Sequence, residues 1–97
     1  MNLSLNDKVA IITGGSDGIG KAAAISLAKE GAKVAIIARN QEKIDLAVKE
    51  IKQITNASVI GISADVSIES DVKDMVSTVN AEFGGVDILI NNAGTSS

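Results

Sequence analysis

The chain has no cysteine, no histidine and no tyrosine, and Phe83 is its only aromatic residue. Without cysteine there are no disulfides and no thiolate chemistry. Without histidine the commonest metal ligand and the commonest general base near neutral pH are gone. With one aromatic, the core has to be aliphatic. The net charge is −3 with the charges scattered, so there is no basic stripe to hold a nucleic acid. No apolar run approaches bilayer length, and Met1 to Asp7 has neither the basic start nor the apolar stretch of a signal peptide. A cytoplasmic protein is the expectation. Its 97 residues suffice for one domain that buries roughly two-thirds of its unfolded surface.

Glycine is plentiful, and its densest stretch is Thr13-Gly14-Gly15-Ser16-Asp17-Gly18-Ile19-Gly20. Before it lies the β-branched run Lys8-Val9-Ala10-Ile11-Ile12, which predicts a buried strand. After it, Lys21 to Glu30 is rich in Ala and Leu and predicts a helix. Glycines at such a junction let the chain turn tightly, let backbone approach a ligand, and let helix and strand pack closely. The helix start offers free N–H groups and a positive dipole end, which suit a phosphate. A nucleotide carrying a pyrophosphate is therefore expected here, against the plainer alternative of a glycine-rich turn with no ligand. The spacing is T-G-x-x-x-G-x-G, not G-x-G-x-x-G. Gly15 to Ala22 also comes one residue short of a nucleotide-hydrolase phosphate loop, but Ala22 lacks the hydroxyl that would hold magnesium.

The rest of the chain alternates in the same way. Strands are expected at Lys8 to Thr13, Lys33 to Ala38, Ser58 to Ser63 and Val86 to Ile90. Helices are expected at Gly18 to Glu30, with Gly31 as left-handed cap, and at Gln41 to Ile54, capped by Asn40 and left through Asn56. A third helix should start at Ser67 as cap, bury Val72, Met75, Val76, Val79 and Phe83, and end at Gly84-Gly85. The second and fourth strands are near-continuous apolar runs, the pattern of parallel strands buried on both faces. Right-handed crossovers then give an α/β, Rossmann-like doubly wound parallel sheet of order 3-2-1-4, a single domain over residues 1–97. The crevice lies at the carboxyl ends of strands one and four. Thr13 to Gly20, Arg39, Asp65 and Asn91 all fall at such ends.

These residues resemble the short-chain dehydrogenase/reductase family. Thr13-Gly14-x-x-x-Gly18-Ile19-Gly20 matches its cofactor motif, Asp65-Val66 its adenine-pocket pair, and Asn91-Asn92-Ala93-Gly94 its N-N-A-G motif. They occur in the family's order, each after the matching strand, and the resemblance covers the whole chain. It implies that Gly14, Ser16, Asp17 and Ile19, with Gly18 and Gly20, line the adenosine and pyrophosphate of a nicotinamide dinucleotide. It implies that Asp65 accepts from the adenine amino group beside the Val66 backbone. It implies that Asn91, leading into Ala93 and Gly94, holds the sheet end together near the ribose. Read without the family, Asp65 serves equally as a turn residue before a helix, and Asn91-Asn92 as a loop.

The end of the second strand bears on the cofactor. NAD sites put a carboxylate there for the ribose 2′-OH, and NADP sites an arginine for the 2′-phosphate. Here the strand ends Ile37-Ala38-Arg39-Asn40. A guanidinium fork fits a phosphate, so NADP is favoured over NAD, although the charge of Asp17 opposes a phosphate. The alternative for Arg39 is a solvated residue beside a helix cap.

The family's Ser, Tyr and Lys, the last two as Y-x-x-x-K, lie beyond N-N-A-G. This chain has no tyrosine, and Ser96 and Ser97 come too early. No catalytic residue is therefore assigned, and the chain reads as the cofactor-binding portion of an oxidoreductase acting on an alcohol or carbonyl. A stand-alone nucleotide-binding or structural module without turnover is the competing reading. An apolar fourth strand at a sheet edge predicts self-association, hence a homo-oligomer.

Overall fold

The structure is a computed structural model that describes residues 5–16 and 18–92. Its elements run β1 (Val9–Thr13), α1 (Gly18–Lys29), β2 (Lys33–Ala38), α2 (Gln41–Thr55), β3 (Val59–Ser63), α3 (Glu69–Phe83) and β4 (Ile88–Asn91). The strands form one sheet in the order β3-β2-β1-β4, and every pairing is parallel. This is the expected doubly wound, Rossmann-like arrangement, with β1 and β2 in its middle.

Side-chain alternation along the central strands sends residues to opposite faces. Ile12, Val34 and Ile36 pack with Ala24 and Ala28 of α1 and with Ile44, Ala47 and Ile51 of α2. Val9, Ile11, Ala35 and Ile37 pack with Met75 and Val79 of α3. Two helices thus cover one face and one helix the other. α1 buries Gly20, Ala24 and Ala28, a row of small residues spaced by four that lets the helix sit close to the sheet. On the same face, Gly61 of β3 lies against Ile44 and Val48 of α2, whose methyl groups fill the space of a Cβ.

Helix ends follow local chemistry. The Asn40 side chain accepts from the Lys43 N–H at 3.1 Å and starts α2, and Asn56 leaves it at φ 57°. α1 ends in a Schellman motif: Gly31 at φ 99° donates to Ala28 at 3.0 Å, and Ala32 donates to Leu27 at 3.1 Å.

Three expectations need correction. Ser67 does not cap α3; Ile68 holds the cap position, without a side-chain cap bond, because the Ser67 hydroxyl is drawn to Asp65. Val76 is 36% exposed, lying beside the Met75–Val79 stripe, not within it. The fourth strand is not buried on both faces: it starts at Ile88, and Leu89 is 64% exposed. Leu89 stands beside Ile11 in the register, on the α3 face. α3 packs there on β1 and β2, and among the described residues none covers Leu89 on that face.

Candidate functional site

The carboxyl ends of β2, β1 and β4 meet at one level, where Thr13 stands opposite Ile37 on one side and Asn91 on the other. Thr13 is buried, and its hydroxyl joins the two strand ends. It donates to Asn91 Oδ1 at 2.8 Å and accepts the Asn92 N–H at 2.9 Å. On the far side of β1, the Gly14 N–H donates to the Ile37 carbonyl at 2.7 Å. The turn that begins α1 is thereby fastened to both neighbouring strands.

The glycines of this turn divide their work. Gly14 and Gly18 hold positive φ, 69° and 57°, which a side chain opposes. Any Cβ on Gly20 would run into the Gly14 carbonyl, and the Asn92 side chain lies 3.1 Å from that position. So Gly20 allows the first turn of α1 to close on the loop. A Cβ on Gly18, in contrast, would meet nothing among the described residues. The first turn of α1 contains no acidic residue, so nothing in that turn opposes an anion. Gly15 also has to be glycine, because a Cβ there would stand 2.8 Å from an Ile36 methyl. Its place inside a run of glycines gave no separate signal.

A cavity of about 390 Å³ opens beside this turn, at the ends of β1, β2 and β3. It brings together Gly14, Arg39, Asp65 and Val66, along with Ala64 and Ser67. Arg39 is exposed. Its backbone carbonyl accepts from the Ser63 hydroxyl at 3.1 Å, which fixes the strand end that carries it. Asp65 adopts the turn geometry: Oδ1 accepts the Ser67 N–H at 2.9 Å and the Ser67 hydroxyl at 2.6 Å. Both bonds use Oδ1, so the turn does not engage Oδ2. The Asp65 N–H donates to Asp71 Oδ2 at 2.9 Å, a clamp from α3 that had no recognisable sequence motif. Donation from the Ser67 hydroxyl and N–H, with a smaller contribution from the Arg39 charge, holds the Asp65 carboxyl below its ordinary value against the opposing effect of burial. Asp65 is thus a carboxylate at neutral pH.

The other expected residues that the structure describes do not line that cavity. Ser16 lines a separate hollow of about 260 Å³ with Lys21 and Lys43. Ile19 is 79% exposed at the start of α1. Asn91 lies beyond Thr13 on the β4 side. Asp17, Ala93 and Gly94 lie outside the described residues. Among the described residues, no group of three or more His, Cys, Asp or Glu side chains is placed to hold a metal, and no helix is long and apolar enough to cross a membrane.

Residues 8–97 match the short chain dehydrogenase family. The chain is 44% identical over 92 residues to the short-chain dehydrogenase/reductase homolog YusS of Bacillus subtilis, covering 94% of this chain and 84% of that protein. It is 39% identical over 92 residues to an uncharacterized oxidoreductase of Staphylococcus epidermidis, but spans only 38% of that relative's length. In three dimensions it superposes on the crystal structure of L-sorbose reductase from Gluconobacter frateurii, complexed with NADPH and L-sorbose. The TM-score is 0.95 at 41% identity, over 100% of this chain and 37% of the reductase. The chain belongs to the short-chain dehydrogenase/reductase family.

Proposed function

We propose that the chain is the NADP(H)-binding portion of a short-chain oxidoreductase that moves hydride between a nicotinamide cofactor and an alcohol or carbonyl substrate. The observation that carries this reading is the meeting of Gly14, Arg39, Asp65 and Val66 around one cavity beside the start of α1. The NADPH held by the similar L-sorbose reductase supports it.

The residues present suit such a cofactor. Asp65, a carboxylate with Oδ2 outside its own turn, accepts from the adenine amino group, and the Val66 backbone lies alongside. Gly18, Ile19 and Gly20 bring the N–H groups of the α1 start to the pyrophosphate, and Gly14, Ser16 and Asp17 complete the turn that lines it. Arg39 meets the 2′-phosphate, since β2 ends without a carboxylate that would select a free 2′-OH. Asn91, locked to Thr13, holds the sheet end beside the ribose, with Ala93 and Gly94 following in the sequence. When bound, the nicotinamide supplies or accepts the hydride; the chain's own residues bind and orient. No residue of the chain is assigned a catalytic role. NAD is the weaker candidate for the same site. Leu89 of β4, exposed among the described residues, supports assembly with a second chain.

The test is equilibrium binding of NADP⁺ and NAD⁺ before and after Arg39→Ala. A charge-assisted bond of about 1.5 kcal/mol or more makes the expected loss for NADP⁺ roughly tenfold, with NAD⁺ unchanged. Unchanged NADP⁺ affinity would remove Arg39 from the reading. A second reading, nucleotide binding without turnover, is favoured by the Bacillus relative, of which the chain covers 84%. The size of the protein in its source cell separates the two. A chain of the longer relatives' length carrying Y-x-x-x-K supports the oxidoreductase, and one close to the Bacillus relative's length supports the module.

A further inference from the structure

We infer that Asp71 of α3 is a positioning residue for the adenine end of the site: its carboxylate fixes the backbone of Asp65 so that Asp65 Oδ2 meets the amino group of the base. This rests on the binding reading above and extends it to a residue outside the cavity. Asp71 is half-buried in the first turn of α3 and does not line the hollow that holds Asp65. Its Oδ2 accepts the Asp65 N–H at 2.9 Å.

An acid at this place in a helix ordinarily serves the helix itself. Asp71 is the third residue after Ile68, which holds the cap position, and from there an acidic side chain reaches back to the N–H of the cap. Here the Ile68 N–H donates to the Asp65 carbonyl at 3.0 Å, and Asp71 reaches past it to Asp65. The sheet explains the need. The Ala64 N–H donates to Ala38 of β2 at 2.9 Å, so the ladder runs to the residue before Asp65. β3 is an edge strand, and Asp71 supplies the acceptor for the first N–H past the ladder. Asp65 is then held at its N–H by Asp71, at its carbonyl by Ile68 and at Oδ1 by Ser67. These bonds leave Oδ2 with a fixed place at the cavity. A carboxylate held in place selects an amino group at little ordering cost, whereas a mobile one has to be immobilised by the ligand.

The experiment titrates NADP⁺ and its hypoxanthine analogue, in which an oxo group replaces the adenine amino group, onto the whole chain. The variants are wild type, Asp71→Ala, Asp71→Asn and Asp65→Ala. Wild type should bind NADP⁺ roughly tenfold more tightly than the analogue, the worth of one hydrogen bond to a charged group. Asp71→Ala should weaken NADP⁺ about threefold to tenfold, leave the analogue nearly unchanged, and so shrink the preference for adenine. Asp71→Asn keeps an oxygen acceptor for the Asp65 N–H and should restore most of that preference. Equal weakening of both ligands by Asp71→Ala, or loss of both through unfolding, means a structural role and overturns the inference. Unchanged NADP⁺ affinity overturns it too. Asp65→Ala separates the inference from the binding reading: if it abolishes the preference while Asp71→Ala keeps it, only the inference fails. If wild type shows no preference, if Asp65→Ala keeps it, or if the chain takes neither ligand, the reading of Asp65 and the inference fall together.

Discussion

At the amino ends of the strands, a cavity of about 530 Å³ lies among Asn6, Gly31, Lys33 and Asn56. At the carboxyl ends, the cavity beside Gly14 and Asp65 measures only about 390 Å³. The larger hollow has none of the expected site residues. It is bordered by helix ends whose backbone bonds close on themselves, Gly31 and Ala32 onto α1 and Asn56 onto α2. The smaller one is lined by Gly14 of the turn that leads into α1, a helix whose first N–H groups have no partner within the helix, and it holds an arginine and a carboxylate held charged. If the smaller hollow is the cofactor site proposed above, volume does not mark a site in this fold. The direction of the helix dipoles does, since a crossover helix starts at the carboxyl end of one strand and finishes at the amino end of the next.

Glycine substitutions at the two ends separate these roles most sharply. Gly20→Val forces the start of α1 away from the Gly14 carbonyl. It is expected to cost roughly 3 kcal/mol in denaturant unfolding and to abolish cofactor binding. Gly31→Ala places a Cβ at φ 99° and against the Asn6 side chain. It is expected to cost about 2 kcal/mol while the folded fraction binds cofactor as before. If Gly31→Ala weakened binding as strongly as Gly20→Val, the two ends would not be functionally distinct.

Thr13→Val sharpens the comparison within the carboxyl end. It removes the partner of Asn91 Oδ1 and one partner of the Asn92 N–H, and should cost about 1–2 kcal/mol. Its effect on cofactor affinity should exceed that of Gly31→Ala.

The mildest effect is on pH dependence. The Asp65 carboxyl titrates lower in the folded chain than the roughly 3.9 of an unfolded aspartate. A depressed folded value contributes stability above the unfolded one, and that contribution fades as pH falls through the folded one. Below about pH 4, wild type should therefore lose stability more steeply than Asp65→Asn in acid unfolding. Parallel acid limbs would show that the Ser67 bonds do not matter to the folded state.

The strand order and the helix assignments were legible because each strand is a short β-branched run with glycine, Asn or Asp beside it, and β2 is buried from Val34 to Ile37. The fourth strand misled because apolar composition reports what a strand tolerates, whereas Leu89 reports what covers it. Ser67 misled for a local reason: a hydroxyl placed two residues after an aspartate bonds that aspartate in preference to a helix start. Of the candidate site, the glycine turn, Arg39 and Asp65 were visible because backbone conformation and charge restrict residue type. The Asp71 clamp depends on how α3 packs, and no spacing along the chain encodes that.

The most direct measurement follows backbone amide resonances of the chain as NADP⁺ is added. The account predicts shifts at Gly14, Gly18, Ile19, Asp65 and Val66, with Gly31, Lys33 and Asn56 at the opposite end unmoved. Shifts centred on Gly31 and Asn56, with Gly18 and Asp65 still, would contradict it.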